Sequence, residues 1–491
     1  MMIFRLCLLV FAASFLAPHV ISAAVATPRD ISMVAAFFQW FETAMEMVFG
    51  YFMGSKPNAE KERKKGTTRE SRVSYDNYHV LRVIPGSDQA VQELEMLLDE
   101  PGLDFWNPPL KNRTTDLLAP PDLADYLKLY LQEREIPFSV LTSNLQADMK
   151  NQNPTQINRS TQLKIEQGHP MSWERYHRYK DIEAYLDYLG KTASELVKII
   201  KIGKSTEGRA LKVVRVSSSK GKSANPAIWI DGGMHGREWI APATALFILK
   251  QLVENYKTNR AVVDGIDWYI MPVANPDGYE YSHSTDRFWR KNRSKASKDI
   301  DDYDDYGDEA RFFWDDVKRC EGVDLNRNFD FHWGEVGMSK NPCKSTYGGQ
   351  HAFSEPESKA ISDFIMRQGD QIKSYVTLHA YSQMILLPWG FTKQTPSDHS
   401  DLMYVGRKAL DALQKVYGTN YEIGTSPTLL YPTSGSSDDW AKGKAGIKYS
   451  YTIELRDKGK YGFLLPASQI LPTGRETFAA IKTIARHVTL E

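Results

Sequence analysis

The chain has 491 residues, too many for one ordinary domain, and its 61 basic and 61 acidic side chains cancel to a formal net charge of +0. That balance argues against a nucleic-acid partner and against an acidic solvating tail. With 42% apolar and 25% charged residues, the composition is that of a soluble globular protein.

In chain order, Arg5 supplies a positive start, Leu6 to Ala17 a short apolar core, and Ser22, Ala23 and Ala24 small residues for cleavage. Residues 1–23 therefore read as a secretory signal, too short to span a bilayer. The expectation is a secreted, extracellular protein with no transmembrane segment once the signal is removed. Cysteine usage agrees: Cys7 leaves with the signal, and Cys320 and Cys343 remain as an even pair in an oxidising route.

Residues 24–72 form an N-terminal extension. Val34, Phe38, Phe41, Met45, Val48 and Phe52 recur at spacings of four and three, with Gln39, Glu42, Thr43 and Glu46 on the other side. That pattern predicts an amphipathic helix over 31–53. Two central glutamates would cost about 2.5–3.5 kcal/mol each in a membrane, so the segment suits the protein's own surface, a partner or a membrane surface, or is a leader absent from the mature product. Lys56 to Arg72 is a charged linker open to proteases.

Residues 73–149 read as a small domain. Strands are expected at 78–84, 103–106 and 138–141, and helices at 88–99 and 123–133. Two helices on one face of an antiparallel sheet make an α+β layer. Residues 150–168 are a polar connector carrying Arg159 and Lys164. From 169 to 491, strands and helices alternate as in an α/β fold. The acidic run 299–309 is either a solvated loop or the rim of a site, where it would steer charge. Asn112, Asn158 and Asn292 each begin a glycosylation sequon.

The chemistry is concentrated at three strand ends. Ala227 to Asp231 is an apolar run, His235-Gly236-Arg237-Glu238 follows, and a helix is expected from Ile240 to Tyr256. A histidine and a carboxylate thus share a strand-to-helix loop, where open α/β sheets bind ligands. Two later strands end on His379 and on Glu454. His379 could complete a His-Glu-His zinc site, leaving Glu454 beside the metal as a general base. The plainer alternatives are a hydrogen-bonded core histidine and an ion pair of Glu454 with Arg456.

These stretches resemble the zinc carboxypeptidases of the pancreatic A/B type. The likeness runs from about Tyr75 to the C-terminus. It rests on Asp231 to Trp239, Asn275-Pro276-Asp277-Gly278-Tyr279, Trp289-Arg290-Lys291, Gly322 to Asn328, Leu378 to Ser382 and Glu454-Leu455-Arg456-Asp457. The resemblance implies a mixed central sheet flanked by helices, preceded by an inhibitory pro-domain that a trypsin-like protease removes by cutting near Arg159 or Lys164. It implies one zinc ion on His235, Glu238 and His379, with Glu454 and Arg290 catalytic and Cys320 bonded to Cys343. Arg327, with Asn326, corresponds to the clamp for a peptide's terminal carboxylate, and Tyr431 to the tyrosine that closes over substrate. Arg237 would contact the substrate further back.

Specificity turns on Ser436-Ser437-Asp438-Asp439-Trp440. A-type enzymes carry an apolar residue where Asp438 stands, and B-type enzymes an aspartate. The expectation is therefore a monomeric enzyme removing C-terminal lysine or arginine from peptides and proteins. Preference for apolar or aromatic ends is the competing reading. One extra residue lies between Asp439 and Glu454 relative to the family pattern. A catalytically idle binding protein on the same fold is the alternative of another class, but this chain keeps all three ligands and the base.

Overall fold

The computed structural model describes residues 72–98, 100, 102–153, 163, 166–219, 225–295 and 320–488. The predicted signal, the amphipathic pattern 31–53, the charged linker up to 71, Arg159, Lys164, Asn158 and the acidic run 299–309 lie outside them. All the described residues belong to one compact unit, Glu70–Glu491.

The small domain has four antiparallel strands: β1 (His79–Val83), β2 (Asp104–Phe105), β3 (Thr115–Ala119) and β4 (Phe138–Thr142), in spatial order β2-β3-β1-β4. Helices Asp88–Glu95 and Pro121–Glu133 cover one face. Leu81, Val83, Leu117, Leu94, Leu127 and Leu131 form the core between them. Ser87 starts the first helix by accepting from the Ala90 N–H. That helix stops at Glu95, short of the predicted 99.

Sequence patterning passes over β3, although it is central and wholly buried. Its run Thr-Asp-Leu-Leu-Ala is poor in β-branched residues. Asp116 within it is tolerated because Arg82 Nε and Nη2 donate to its two oxygens, at 2.7 Å each, and the Tyr381 hydroxyl donates at 2.6 Å. A further helix, Leu145–Gln152, crosses the expected boundary at 149/150. Asn144 caps it through the Ala147 N–H.

Two side chains at the end of this helix tie it to the larger domain. Gln152 Oε1 accepts from Arg287 Nε at 2.9 Å, and its Nε2 donates to the Phe463 carbonyl at 2.9 Å. Asn153 exchanges two bonds with the backbone of Tyr176.

The larger domain is built on an eight-stranded mixed sheet: β5 (Val197–Lys204), β6 (Ala210–Val216), β7 (Ala227–Gly232), β8 (Asp267–Met271), β9 (Ile372–His379), β10 (Met384–Leu387), β11 (Glu422–Thr425) and β12 (Tyr449–Glu454). The order is β11-β10-β12-β9-β7-β8-β6-β5. The central strands β12, β9, β7 and β8 run parallel, and β5, β6 and β10 introduce antiparallel pairings. Parallel strands covered on both faces need apolar residues throughout, and β7 and β8 are buried at every position. Helices Tyr179–Thr192, Ile240–Val253, His399–Tyr417 and Ile470–Val488 contribute to the core on one face. Pro356–Gln368 and Ser437–Gly443 contribute to that on the other. The helix expected to reach Tyr256 ends at Val253, and a second spans Tyr256–Val263.

The pairing Glu454↔His379 puts two of the predicted site residues side by side at the carboxyl ends of β12 and β9. Gly232, the last residue of β7, pairs with Leu378, so the 233–239 loop opens onto the same edge. Cys320 and Cys343 are joined in a disulfide. Asn112 is exposed, but Asn292 is fully buried, with its Nδ2 donating to Glu355 at 2.6 Å and Glu357 at 3.0 Å. A glycan cannot occupy that nitrogen in this fold, which removes Asn292 from the three sequons.

Candidate active site

Three strand ends bring the predicted metal ligands together. His235, Glu238 and His379 are all buried, and one ligand atom from each lies within 4.8 Å of the others. The loop that carries the first two is held by Gly236, whose N–H donates to the Arg290 carbonyl at 2.9 Å. A Cβ there would meet the Gly278 carbonyl oxygen at 2.4 Å, so only glycine fits.

The outer nitrogen of each histidine already has a partner. His235 Nε2 lies 3.0 Å from Asp324 Oδ1. His379 Nε2 lies 3.2 Å from Thr377 Oγ1, whose own proton goes to Asp231 at 2.7 Å. With the ring protons on those sides, the two Nδ1 lone pairs face each other at 3.1 Å, with Glu238 oxygens 2.7 and 3.0 Å away. Such a convergence of acceptors is unfavourable unless a cation occupies it, and two imidazoles with one carboxylate are a zinc donor set.

The charges respond to this crowding. Burial disfavours the Glu238 carboxylate, but the two histidines outweigh it and hold the group well below the carboxylate range. Burial pulls His379 down, and Glu238 more than reverses it. Burial and the nearby Arg290 lower His235. Glu454 opens on the cleft, yet loss of solvent pushes its carboxyl up, with Glu238 adding to the rise. The ion pair of Glu454 with Arg456 is absent: Arg456 pairs with Glu476 instead.

The cleft beside these groups is lined by Arg290, Asn326, Arg327, Tyr431, Asp438 and Glu454, among others. Arg290 is not a surface arginine. Its side chain is 13% exposed, and Nε and Nη2 donate to Asp324 at 3.0 and 2.8 Å. Arg327 is fixed by carbonyl oxygens of Gly337 and Asn326. Asn326 Oδ1 accepts from the Ser437 N–H, which ties the clamp to the helix bearing Asp438. Asp324 thus orients His235 and anchors Arg290 at once. Its place in the Gly322–Asn328 stretch was the only sequence signal for it.

The small domain reaches into the same cleft. Arg237 Nη1 donates to Asp104 Oδ2 at 2.9 Å. Trp106 lines the cleft, stacks on Phe288 at 5.4 Å and meets Phe463 edge-on at 5.1 Å. In this state Arg237 is bound to the small domain.

Residues 182–480 match the zinc carboxypeptidase family, and residues 81–152 match the carboxypeptidase activation peptide. The chain belongs to the zinc carboxypeptidase family. This zinc carboxypeptidase is 45% identical to carboxypeptidase B of Astacus astacus over 65% of its own length and 98% of that protein. It is 36% identical to carboxypeptidase A1 of Bos taurus over 84% of its length and 93% of that protein. Among solved structures it resembles thrombin activatable fibrinolysis inhibitor, with TM-score 0.75 and 34% identity, covering 85% of this chain and 100% of that one. Carboxypeptidase A of Helicoverpa armigera gives TM-score 0.72 and 29% identity over 85% and 98%. The zinc carboxypeptidase is thus made with an activation peptide, which the small domain comprises. No helix among its described residues is long and apolar enough to cross a membrane.

Proposed function

We propose that this chain is the secreted zymogen of a B-type zinc carboxypeptidase, which removes lysine or arginine from peptide C-termini once the activation domain is cut away. The domain division of the sequence reading, 73–149, 150–168 and 169–491, is kept with its first boundary moved to the end of the helix at Gln152. The enzyme acts as a monomer on peptide and protein ends, and one zinc ion serves it.

Zinc on His235, Glu238 and His379 would supply a Lewis acid that acidifies water and polarises the scissile carbonyl. Glu454 takes a proton from the attacking water and returns it to the leaving amine. Arg290 offers fixed positive charge to the carbonyl oxygen as it becomes negative. Arg327 pairs through its planar fork with the terminal carboxylate, with Asn326 beside it, and Tyr431 closes the outer side. After activation Arg237 exchanges Asp104 for the substrate chain.

The observation that carries the basic preference is the difference between two adjacent acids. Asp439 is spent on structure: it accepts the N–H groups of Gly390 and Phe391. Asp438 is 7% exposed, lines the cleft and, among the described residues, has no cation or hydrogen-bond donor on its carboxylate. Gly390 lines the same cleft, where a Cβ would crowd Thr433 Oγ1 at 3.0 Å and Asp439 Oδ2 at 3.3 Å. A basic side chain satisfies Asp438, whereas an apolar one buries it unpaired.

The test is kcat/KM for the activated enzyme on peptides that differ only in the last residue. Faster removal of phenylalanine or leucine than of lysine or arginine rejects the B-type reading. Detection of the processed chain in culture medium tests secretion.

A further inference from the structure

The pocket that holds Asp438 also holds hydroxyl groups with no partner. Thr433 lines the cleft at 8% exposure, and its Oγ1 makes no hydrogen bond among the described residues. Its backbone is fixed at this wall, with the N–H bonded to the Gly390 carbonyl at 2.9 Å. The oxygen lies 3.0 Å from where a side chain on Gly390 would begin.

Ser436 is 3% exposed in the same lining, and its Oγ is buried without a partner. It stands at the N-cap of helix Ser437–Gly443 yet makes no capping bond with its side chain. A serine there ordinarily accepts from the first turn of the helix. By contrast, Ser426 in the same wall is used up, donating to the Tyr431 carbonyl at 2.8 Å. Buried polar groups without partners are rare in native proteins, and Ser436 Oγ, in one lining with the Asp438 carboxylate and the Thr433 hydroxyl, points to a ligand that satisfies all three.

We propose that Thr433 and Ser436 are specificity-determining residues that accept hydrogen bonds from the charged end of the substrate's last side chain, alongside Asp438. The inference rests on the basic preference proposed above. An ammonium carries three donors and no acceptor. One carboxylate does not satisfy all three, so the hydroxyls take the others. The pocket thereby recognises a desolvated cation by hydrogen bonding as well as by charge.

The test compares two peptides, one ending in lysine and one in norleucine, which lacks the ammonium but keeps the chain. The trypsin-activated wild type is measured beside Thr433→Val, Ser436→Ala and Thr433→Ser. Valine keeps the shape of threonine and removes the hydroxyl. Thr433→Val and Ser436→Ala should each lower kcat/KM for the lysine peptide about tenfold, the size of a hydrogen bond to a charged group. The norleucine peptide should be cleaved as before or faster, and Thr433→Ser should restore the lysine rate. Equal losses on both peptides, or no loss on either, overturn the inference while leaving the basic preference intact. If wild type prefers norleucine to lysine, the basic preference falls first and this inference with it.

Discussion

At its outer end the cleft is filled by the activation domain: Asp104 holds Arg237, and Trp106 packs among Phe288, Phe463 and Tyr381. At its inner end, Arg327, Asn326 and Asp438 are held only by the larger domain, and among the described residues no activation-domain side chain bonds to them. The difference teaches how inhibition is arranged. On the proposed function, the activation domain takes the place of the upstream part of a substrate. It does not imitate a terminal carboxylate or fill the pocket for the last side chain. The recognition machinery is therefore finished before activation, and only access is withheld.

The sharpest test of a finished inner end is to remove the base. Glu454→Gln should lower kcat of the activated enzyme about 10³-fold, within the range for loss of a positioned proton acceptor, with zinc content unchanged by metal analysis. Near-normal turnover would falsify the role given to Glu454. Next is the pocket: Asp438→Ile should shift the lysine-to-phenylalanine ratio of kcat/KM by about 100-fold towards phenylalanine, since unpaired burial of a carboxylate costs about 3–5 kcal/mol. A ratio that stays put would make Asp438 merely the first-turn acid of its helix.

The outer end should yield smaller effects. Trp106→Ala or Asp104→Ala should raise the activity of the uncut chain on a small peptide about tenfold, because each removes about 1–4 kcal/mol of contact with the cleft wall. Full silence in the double variant would mean that other contacts close the cleft.

The mildest test concerns the scaffold behind the cleft, where Asn292 donates to both Glu355 and Glu357. Burial pushes Glu357 from 4.5 up to about 7. A raised carboxyl keeps its proton in the folded state while the unfolded chain loses it. Stability should therefore fall as pH rises from about 4.5 through about 7, by no more than about 3 kcal/mol from this group. Tm measured at pH 5 and pH 8 should show a smaller decline in Glu357→Gln than in wild type.

Much of the site was legible because its residues sit in short local patterns. His235 and Glu238 share a loop, and His379 and Glu454 each end a β-rich run. The mixed sheet and the two-helix activation layer followed from periodicity and resemblance. What escaped was made by distant pairs. Asp324 acquires its role only when it meets His235 and Arg290, and Asp231 only through Thr377. Strand β3 was invisible because its charge is neutralised by Arg82 and its hydroxyl partner comes from Tyr381, far along the chain. Arg237 was read as a substrate contact, and nothing near it in sequence announces Asp104.

The tie at the end of the activation domain bears on timing. Gln152 and Asn153 precede Arg159 and Lys164, so a cut near either of those leaves both anchored to Arg287, Phe463 and Tyr176. Severing the chain and opening the cleft are then separate events. After the cut the fragment is held as a ligand is, by an affinity and a residence time. On the proposed function, dilution or trimming of the fragment, rather than the nick itself, would set when the enzyme begins to work.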